Sequence, residues 1–232
     1  MTDAVDMVVF VLECIGAIAF TLSGTVISVE HKIDPVGTFV ITFTTAFGGG
    51  IIRDLMLGIT PPCVFSEKSV AVEAVISVTV AMIFYLFAFF RKTSPFVRKI
   101  KGDMLLYLLD AVGLSIFCIS GAKTAIAAGY GENIPLVVTA AVVSGCGGGI
   151  LRDVFISRVP MVFRKHVYIL PALVGSIAYA LLYTKISQLA AMLIGISLII
   201  GIRIPAIKHK WNLPIPKTAS DDLREKNDDD GD

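Results

Sequence analysis

Apolar residues run along the chain in blocks of about twenty, closed by short polar or proline-bearing breaks: near residues 5–29, 35–57, 70–90, 104–124, 135–156, 167–183 and 186–204. A hydrocarbon core about 30 Å thick needs roughly 20 such residues as helix. Inside lipid the backbone must satisfy its own hydrogen bonds, so runs of this length take helical form. The pattern predicts seven membrane-spanning helices.

Polar positions interrupt the second and fifth blocks in the same way. Gly48-Gly49-Gly50-Ile51-Ile52-Arg53-Asp54 returns 99 positions later as Gly147-Gly148-Gly149-Ile150-Leu151-Arg152-Asp153. Upstream, Leu12-Glu13-Cys14-Ile15-Gly16 with Ser23-Gly24 matches Leu109-Asp110-Ala111-Val112-Gly113 with Ser120-Gly121 at an offset of 97; downstream, Pro61 matches Pro160. The duplication covers about residues 5–185. Each copy holds three spans, an odd number, so the second copy is expected upside down relative to the first, an inverted-topology repeat. The expected architecture is an all-α integral membrane fold: repeat one about 5–90, repeat two about 104–185, and a seventh helix about 186–204.

Three consecutive glycines cost roughly 1 kcal/mol each against alanine in a helix interior. The second and fifth helices are therefore expected to break at Gly48, Gly49 and Gly50 and at Gly147, Gly148 and Gly149, and the freed carbonyls to line a passage. The alternative use of such glycines is close helix packing. Arg53, Asp54, Arg152 and Asp153 are candidate passage charges or, alternatively, structural clamps. A buried arginine needs compensation, and Glu13, Asp110 and Glu73 are the candidate partners. Thr42, Thr44, Thr45 and Ser144 either offer oxygens to a permeant cation or bond back to their own helix. Lys123, with no basic equivalent in the other copy, either snorkels to the interface or responds to the membrane potential as a gating charge.

Composition agrees with the block pattern. Hydrophobic residues make up 55% and charged residues 17% of the chain, with mean hydropathy +0.80, whereas soluble domains carry about 25% charge. The first block opens Met1-Thr2-Asp3-Ala4-Val5-Asp6, without the basic start of a signal peptide, and reads as a retained span. Residues 1–211 form one transmembrane domain, and 212–232, with Pro214, Pro216 and the acidic run Asp228-Asp229-Asp230, read as a disordered cytoplasmic tail. Basic residues gather on alternate connections: Lys32; Arg91, Lys92, Arg98, Lys99 and Lys101; Arg158, Arg164 and Lys165; Arg203, Lys208 and Lys210. The opposite side holds Lys68, Lys123 and Lys185. This asymmetry predicts a multi-pass cell-membrane protein with its N-terminus outside and its C-terminus cytoplasmic. The net charge of +1 offers nothing to nucleic acid. Cys14, Cys63, Cys118 and Cys146 lack metal-ligand spacing, and His31, His166 and His209 lie away from the repeated motif. No metal, cofactor or catalytic constellation is expected.

The duplicated GGG-x-x-R-D, the three-plus-three-plus-one span pattern and the orientation together resemble the trimeric intracellular cation (TRIC) channel family, its prokaryotic members in particular, over about residues 5–205. The resemblance implies a homotrimer in membrane lipid with one pore per protomer. It implies a channel for potassium and sodium ions, lined by the kinked second and fifth helices at the glycines, arginines and aspartates named above. Lys123 resembles the fourth-span lysine implicated in gating. Related sequences also carry the label of glycine transporter, so the alternative is a secondary transporter of a small amino acid such as glycine.

Overall fold

The structure is a computed structural model that describes residues 2–90, 102–164 and 167–211. These form α1 (Thr2–Glu30), α2 (Pro35–Met56), the one-turn α3 (Cys63–Ser66), α4 (Lys68–Phe90), α5 (Gly102–Ala125), α6 (Ile134–Phe155), the one-turn α7 (Met161–Arg164), α8 (Ile169–Leu182) and α9 (Gln188–Lys208). A π-helical turn, Ile126–Tyr130, continues α5. The tail 212–232, the basic loop positions 91–101, and Lys165 and His166 lie outside the described residues.

Six helices, α1, α2, α4, α5, α6 and α9, are long and apolar enough to cross a membrane. The sixth expected span departs from this: α8 has 14 residues, about 21 Å at 1.5 Å per residue, too short to cross by itself. The fold is thus an all-α, multi-span membrane bundle.

The two motif-bearing helices begin and end by the same grammar. Asp34 caps α2 by accepting from the Gly37 N–H at 2.7 Å, and Asn133 caps α6 by accepting from Leu136 at 3.2 Å, each with a proline in the first two helical positions. A short polar side chain satisfies an orphan N–H there, and proline has none to lose. Both helices stop at a left-handed residue, Gly58 (φ 75°) and Ser157 (φ 56°). The next N–H then reaches back to the carbonyl of the motif aspartate, Ile59 to Asp54 at 2.8 Å and Arg158 to Asp153 at 2.9 Å.

Neither helix is broken at its glycine triplet. Both run as continuous α-helix through 48–50 and 147–149, contrary to the expected break. The reason lies between them. A Cβ on Gly49 would stand 2.4 Å from the Ser144 carbonyl oxygen, and one on Gly148 would stand 1.9 Å from that of Thr45. The triplets are where α2 and α6 cross backbone on backbone, the close-packing use of small residues in membranes. Van der Waals contact along this crossing offsets the propensity cost.

A second crossing joins α1 to α5. Phe20 covers Gly113, whose Cβ would lie 2.3 Å from the ring, and stacks on Phe117 with centroids 5.5 Å apart. Phe20 and Phe117 are themselves 97 residues apart, so equivalent positions of the duplication meet at this crossing as they do at Gly49 and Gly148. The remaining helices pack around these two pairs: α4 on α1 and α2, α8 on α6, and α9 on α5 and α8.

Candidate functional site

Each motif arginine is buried at the C-terminal end of its helix and is gripped by the aspartate that follows it. Arg53 donates through Nε and Nη2 to Asp54 Oδ1 at 2.9 and 2.6 Å, and through Nη1 to the Ser144 hydroxyl of α6 at 3.1 Å. Arg152 donates through Nε to Asp153 Oδ1 at 2.9 Å. The second oxygen of each aspartate accepts a backbone N–H from the following one-turn helix, Cys63 on Asp54 at 2.8 Å and Met161 on Asp153 at 2.9 Å. A carboxylate shared between a guanidinium and a main-chain donor ties each long helix to the turn after it.

Beyond that shared core the halves diverge. Arg152 also donates to Asp110 at 3.1 Å and to the Ser23 hydroxyl at 2.5 Å. Asp110 in turn accepts the Tyr168 hydroxyl, and the Arg203 guanidinium of α9 lies 4.2 Å over the Tyr168 ring and 4.0 Å from Asp110 Oδ2. Arg152, Asp110, Asp153, Tyr168 and Arg203 are all buried. Two cations and two carboxylates balance in this closed cluster, and the arginine-on-ring contact adds to the ion pairs.

Beside Arg53 there is instead a cavity of about 380 Å³, lined by Glu13, Arg53, Asp54, Glu73, Ser120 and Lys123 among others. Its walls come from α1, α2, α3, α4 and α5 with the π turn after it; α6, the fifth expected span, contributes none of the lining residues and reaches this region through Ser144 on Arg53. Glu13 accepts the Ser120 hydroxyl at 2.6 Å. Glu73 is buried, and its Oε1 has no hydrogen-bond partner. Burial, and then the Asp54 and Glu67 carboxylates, pushes the thiol of Cys63, in the connection between α2 and α4, up to about 12.

Of the partners expected for the arginines, Asp110 is found on Arg152. Glu13 and Glu73 are not within ion-pair distance of Arg53, because the neighbouring Asp54 already occupies the guanidinium edge. Among the hydroxyls near the crossing, Thr42 and Thr45 bond back to Thr38 and Ile41 at 2.8 and 2.6 Å, while Ser144 faces Arg53. Lys123 lies on the cavity wall.

Sequence reasoning missed three members of the closed cluster. Ser23 stood in the repeat alignment without a role. Tyr168 opens an apolar block and was one aromatic among many. Arg203 was counted with the polar end of the last span, yet it sits inside α9, one turn and a half before its end, and is 1% exposed. An arginine flanked by isoleucines on both sides was the available signal. Among the described residues, no group of three or more His, Cys, Asp or Glu side chains gathers to hold a metal.

A family described as "Glycine transporter" matches residues 10–88 and 107–184, the two halves of the duplication. A UPF0126 membrane protein of Vibrio cholerae is 34% identical over 213 residues, covering 90% of this chain and 82% of its own. The UPF0126 inner membrane protein YadS of Escherichia coli (strain K12) is 33% identical over 221 residues, covering 93% of this chain and 99% of its own. Among solved structures, a prokaryotic TRIC channel in 0.5 M KCl aligns with a TM-score of 0.76 at 31% identity, covering 89% of this chain and 99% of that one. The TRIC trimeric intracellular cation channel orthologue from Rhodobacter sphaeroides aligns at 0.75 and 29% identity, over 87% of this chain and 98% of that one.

Proposed function

The chain belongs to the UPF0126 membrane protein family, whose fold here is TRIC-like, and from that premise we propose that it is a monovalent-cation channel for potassium and sodium. The observation that carries this reading is an acid-lined cavity standing beside a buried arginine, within a bundle that matches TRIC channels over nine-tenths of its length. Charged groups inside a span face a bundle interior or a water-filled path, and carboxylate-rich walls favour cations. The passage runs from this cavity to the crossing of α2 and α6, with Arg53 on one side and the Arg152 cluster on the other. Within the triplets Gly48–Gly50 and Gly147–Gly149, Gly49, Gly147 and Gly148 set the width there through close contact rather than through a helix break. Arg53, Asp54, Arg152 and Asp153 set the local charge, and Lys123 at the cavity wall is the gating candidate.

Architecture follows the same reading. Equivalent residues meeting at Phe20 and Phe117 and at Gly49 and Gly148 support a twofold relation between halves running in opposite directions, the mark of inverted repeats. In this arrangement α8 is a short sixth span and α9 the seventh. Loop charge supports an outside N-terminus and a cytoplasmic C-terminus. A homotrimer with one pore per protomer follows from the likeness to TRIC channels.

Recording from purified protein in planar bilayers tests the function. Discrete unitary steps carried by potassium and sodium are expected; a silent bilayer at every potential, with protein present and folded, would overturn it. The family description as glycine transporter favours one second reading, a carrier of a small amino acid. Saturable uptake of labelled glycine by proteoliposomes, without unitary steps, would establish that instead.

A further inference from the structure

The cavity beside Arg53 holds chemistry that the arginine does not use. Four acidic side chains, Glu13, Asp54, Glu67 and Glu73, and two basic ones, Arg53 and Lys123, line it, two more acids than bases. Asp54 is committed to Arg53 at 2.6 Å, and Glu13 accepts the Ser120 hydroxyl. Glu73 differs from both. It is 3% exposed, it lines the cavity, and its Oε1 has no hydrogen-bond partner. A buried acceptor left without a donor is costly, and an acid within a span is retained against such a cost where it serves a charged ligand or pathway.

Two kinds of cation suit an acidic wall, and the rest of this wall separates them. A hard metal ion takes about six oxygen ligands, from protein or retained water, and among the described residues no three metal-ligating groups gather. Most of the remaining lining is apolar and includes the rings of Phe10, Phe47 and Phe117. Ring faces attract an ammonium group, and apolar side chains take up a hydrocarbon stem. A carboxylate with aromatic neighbours is therefore the chemistry that recognises an organic cation. The cavity volume of about 380 Å³ falls within the roughly 300–1,000 Å³ of small-molecule pockets.

We propose that this cavity is a binding site for a small organic ammonium ion, with the ammonium group held by Glu73 and Glu13 and the hydrocarbon stem among Phe10, Phe47 and Phe117. The two acids in excess of the bases suit a diammonium. Binding at this place does not require conduction, and an occupant there narrows any passage that leads through the cavity.

Equilibrium dialysis of radiolabelled butane-1,4-diammonium against the full-length protein in mild detergent tests the site. Saturable binding of one ligand per chain is expected, weakened at least tenfold in Glu73→Gln and in Glu13→Gln and unchanged in Glu132→Gln, which lies on the exposed turn before α6. Glycine, whose carboxylate meets an acid-rich wall, and Mg²⁺, which finds too few oxygens, are each expected to compete at least tenfold more weakly. No saturable binding by the wild type, binding that both cavity variants retain, or displacement by glycine or Mg²⁺ at concentrations matching the diammonium overturns the proposal. If Glu73→Gln fails to fold, Glu13→Gln on a different helix gives the same comparison. Bilayer currents without diammonium binding would remove this site and leave the channel reading standing; binding without currents would do the reverse.

Discussion

Arg53 and Arg152 occupy equivalent places in the duplicated sequence, and each bonds the aspartate after it through Nε at 2.9 Å. Around Arg152 the neighbours close in: Asp110, Ser23, Tyr168 and Arg203 leave the guanidinium fully buried. Around Arg53 they do not. Glu13, the counterpart of Asp110, turns to Ser120. The position one repeat before Tyr168, Ser69, is small and lines the cavity. Arg203 belongs to α9, which follows the duplication and packs on α5 and α8 in the second half, so the first half has no matching helix to supply a second arginine. A duplicated motif thus keeps its inner bonds while residues outside it decide whether the surroundings are sealed or hollow.

The largest effect should come from removing the two arginines in turn. Arg152→Gln leaves Asp110 and Asp153 without their guanidinium in a site closed to water, a loss of about 3–5 kcal/mol for a broken buried pair. Arg53→Gln leaves Asp54 beside a cavity wide enough for water and still bonded to the Cys63 N–H, so about 1–2 kcal/mol is expected. Denaturant unfolding of the two purified variants measures the difference. Equal losses would show that the cavity gives Asp54 no relief, and the contrast between halves would collapse.

The crossing that both clusters share gives the next effect. A Cβ on Gly148 would stand 1.9 Å from the Thr45 carbonyl oxygen, which is main chain and cannot turn aside, whereas one on Gly50 would stand 3.7 Å from the nearest Arg53 atom. Gly148→Ala must push α2 and α6 apart and should cost about 3 kcal/mol, the upper part of the overpacking range. Gly50→Ala fits and should be neutral or gain up to about 1 kcal/mol of helix propensity. Thermal melts of the two variants in the same detergent check this. A Gly148→Ala protein as stable as the wild type would mean the helices are not in backbone contact there.

These two glycines also mark how far the sequence could be read. Block lengths located the long helices, and the repeat pointed to the arginine–aspartate pairs, because apolar runs and costly intramembrane charges are local signals. What the glycine triplets do is not local. Propensity alone favours a break, and only the partner helix, whose carbonyl oxygens stand 1.9–2.4 Å from where a Cβ on Gly148 or Gly49 would sit, makes continuous helix the better solution. The same limit applied to Tyr168 and Arg203, whose roles depend on α8 and α9 reaching Asp110 across the fold, and to α8 itself, whose apolar block of 17 residues gave no sign that its helix would have 14. The hollow beside Arg53 arises from what Ser69 fails to fill, and an absence of side-chain volume leaves no motif.

Tyr168→Phe is expected to cost less than Arg152→Gln or Gly148→Ala and bears most directly on what seals the second half. The substitution removes one hydroxyl, keeps the ring under Arg203, and leaves Asp110 Oδ2 without the donor it now accepts from, while Arg152 still holds Oδ1 at 3.1 Å. A hydrogen bond to a charged group contributes about 1.5–3 kcal/mol, and the retained cation–ring contact puts the loss near the lower end, about 1.5 kcal/mol. The matching change in the first half, Ser69→Ala, removes a hydroxyl at a hollow, exposed position and should move stability by less than about 0.5 kcal/mol. Unfolding curves for both, taken beside Arg152→Gln, place the hydroxyl on the same scale as the ion pair. If Tyr168→Phe is as silent as Ser69→Ala, the seal rests on the two arginines alone and the tyrosine serves only as the surface on which Arg203 lies.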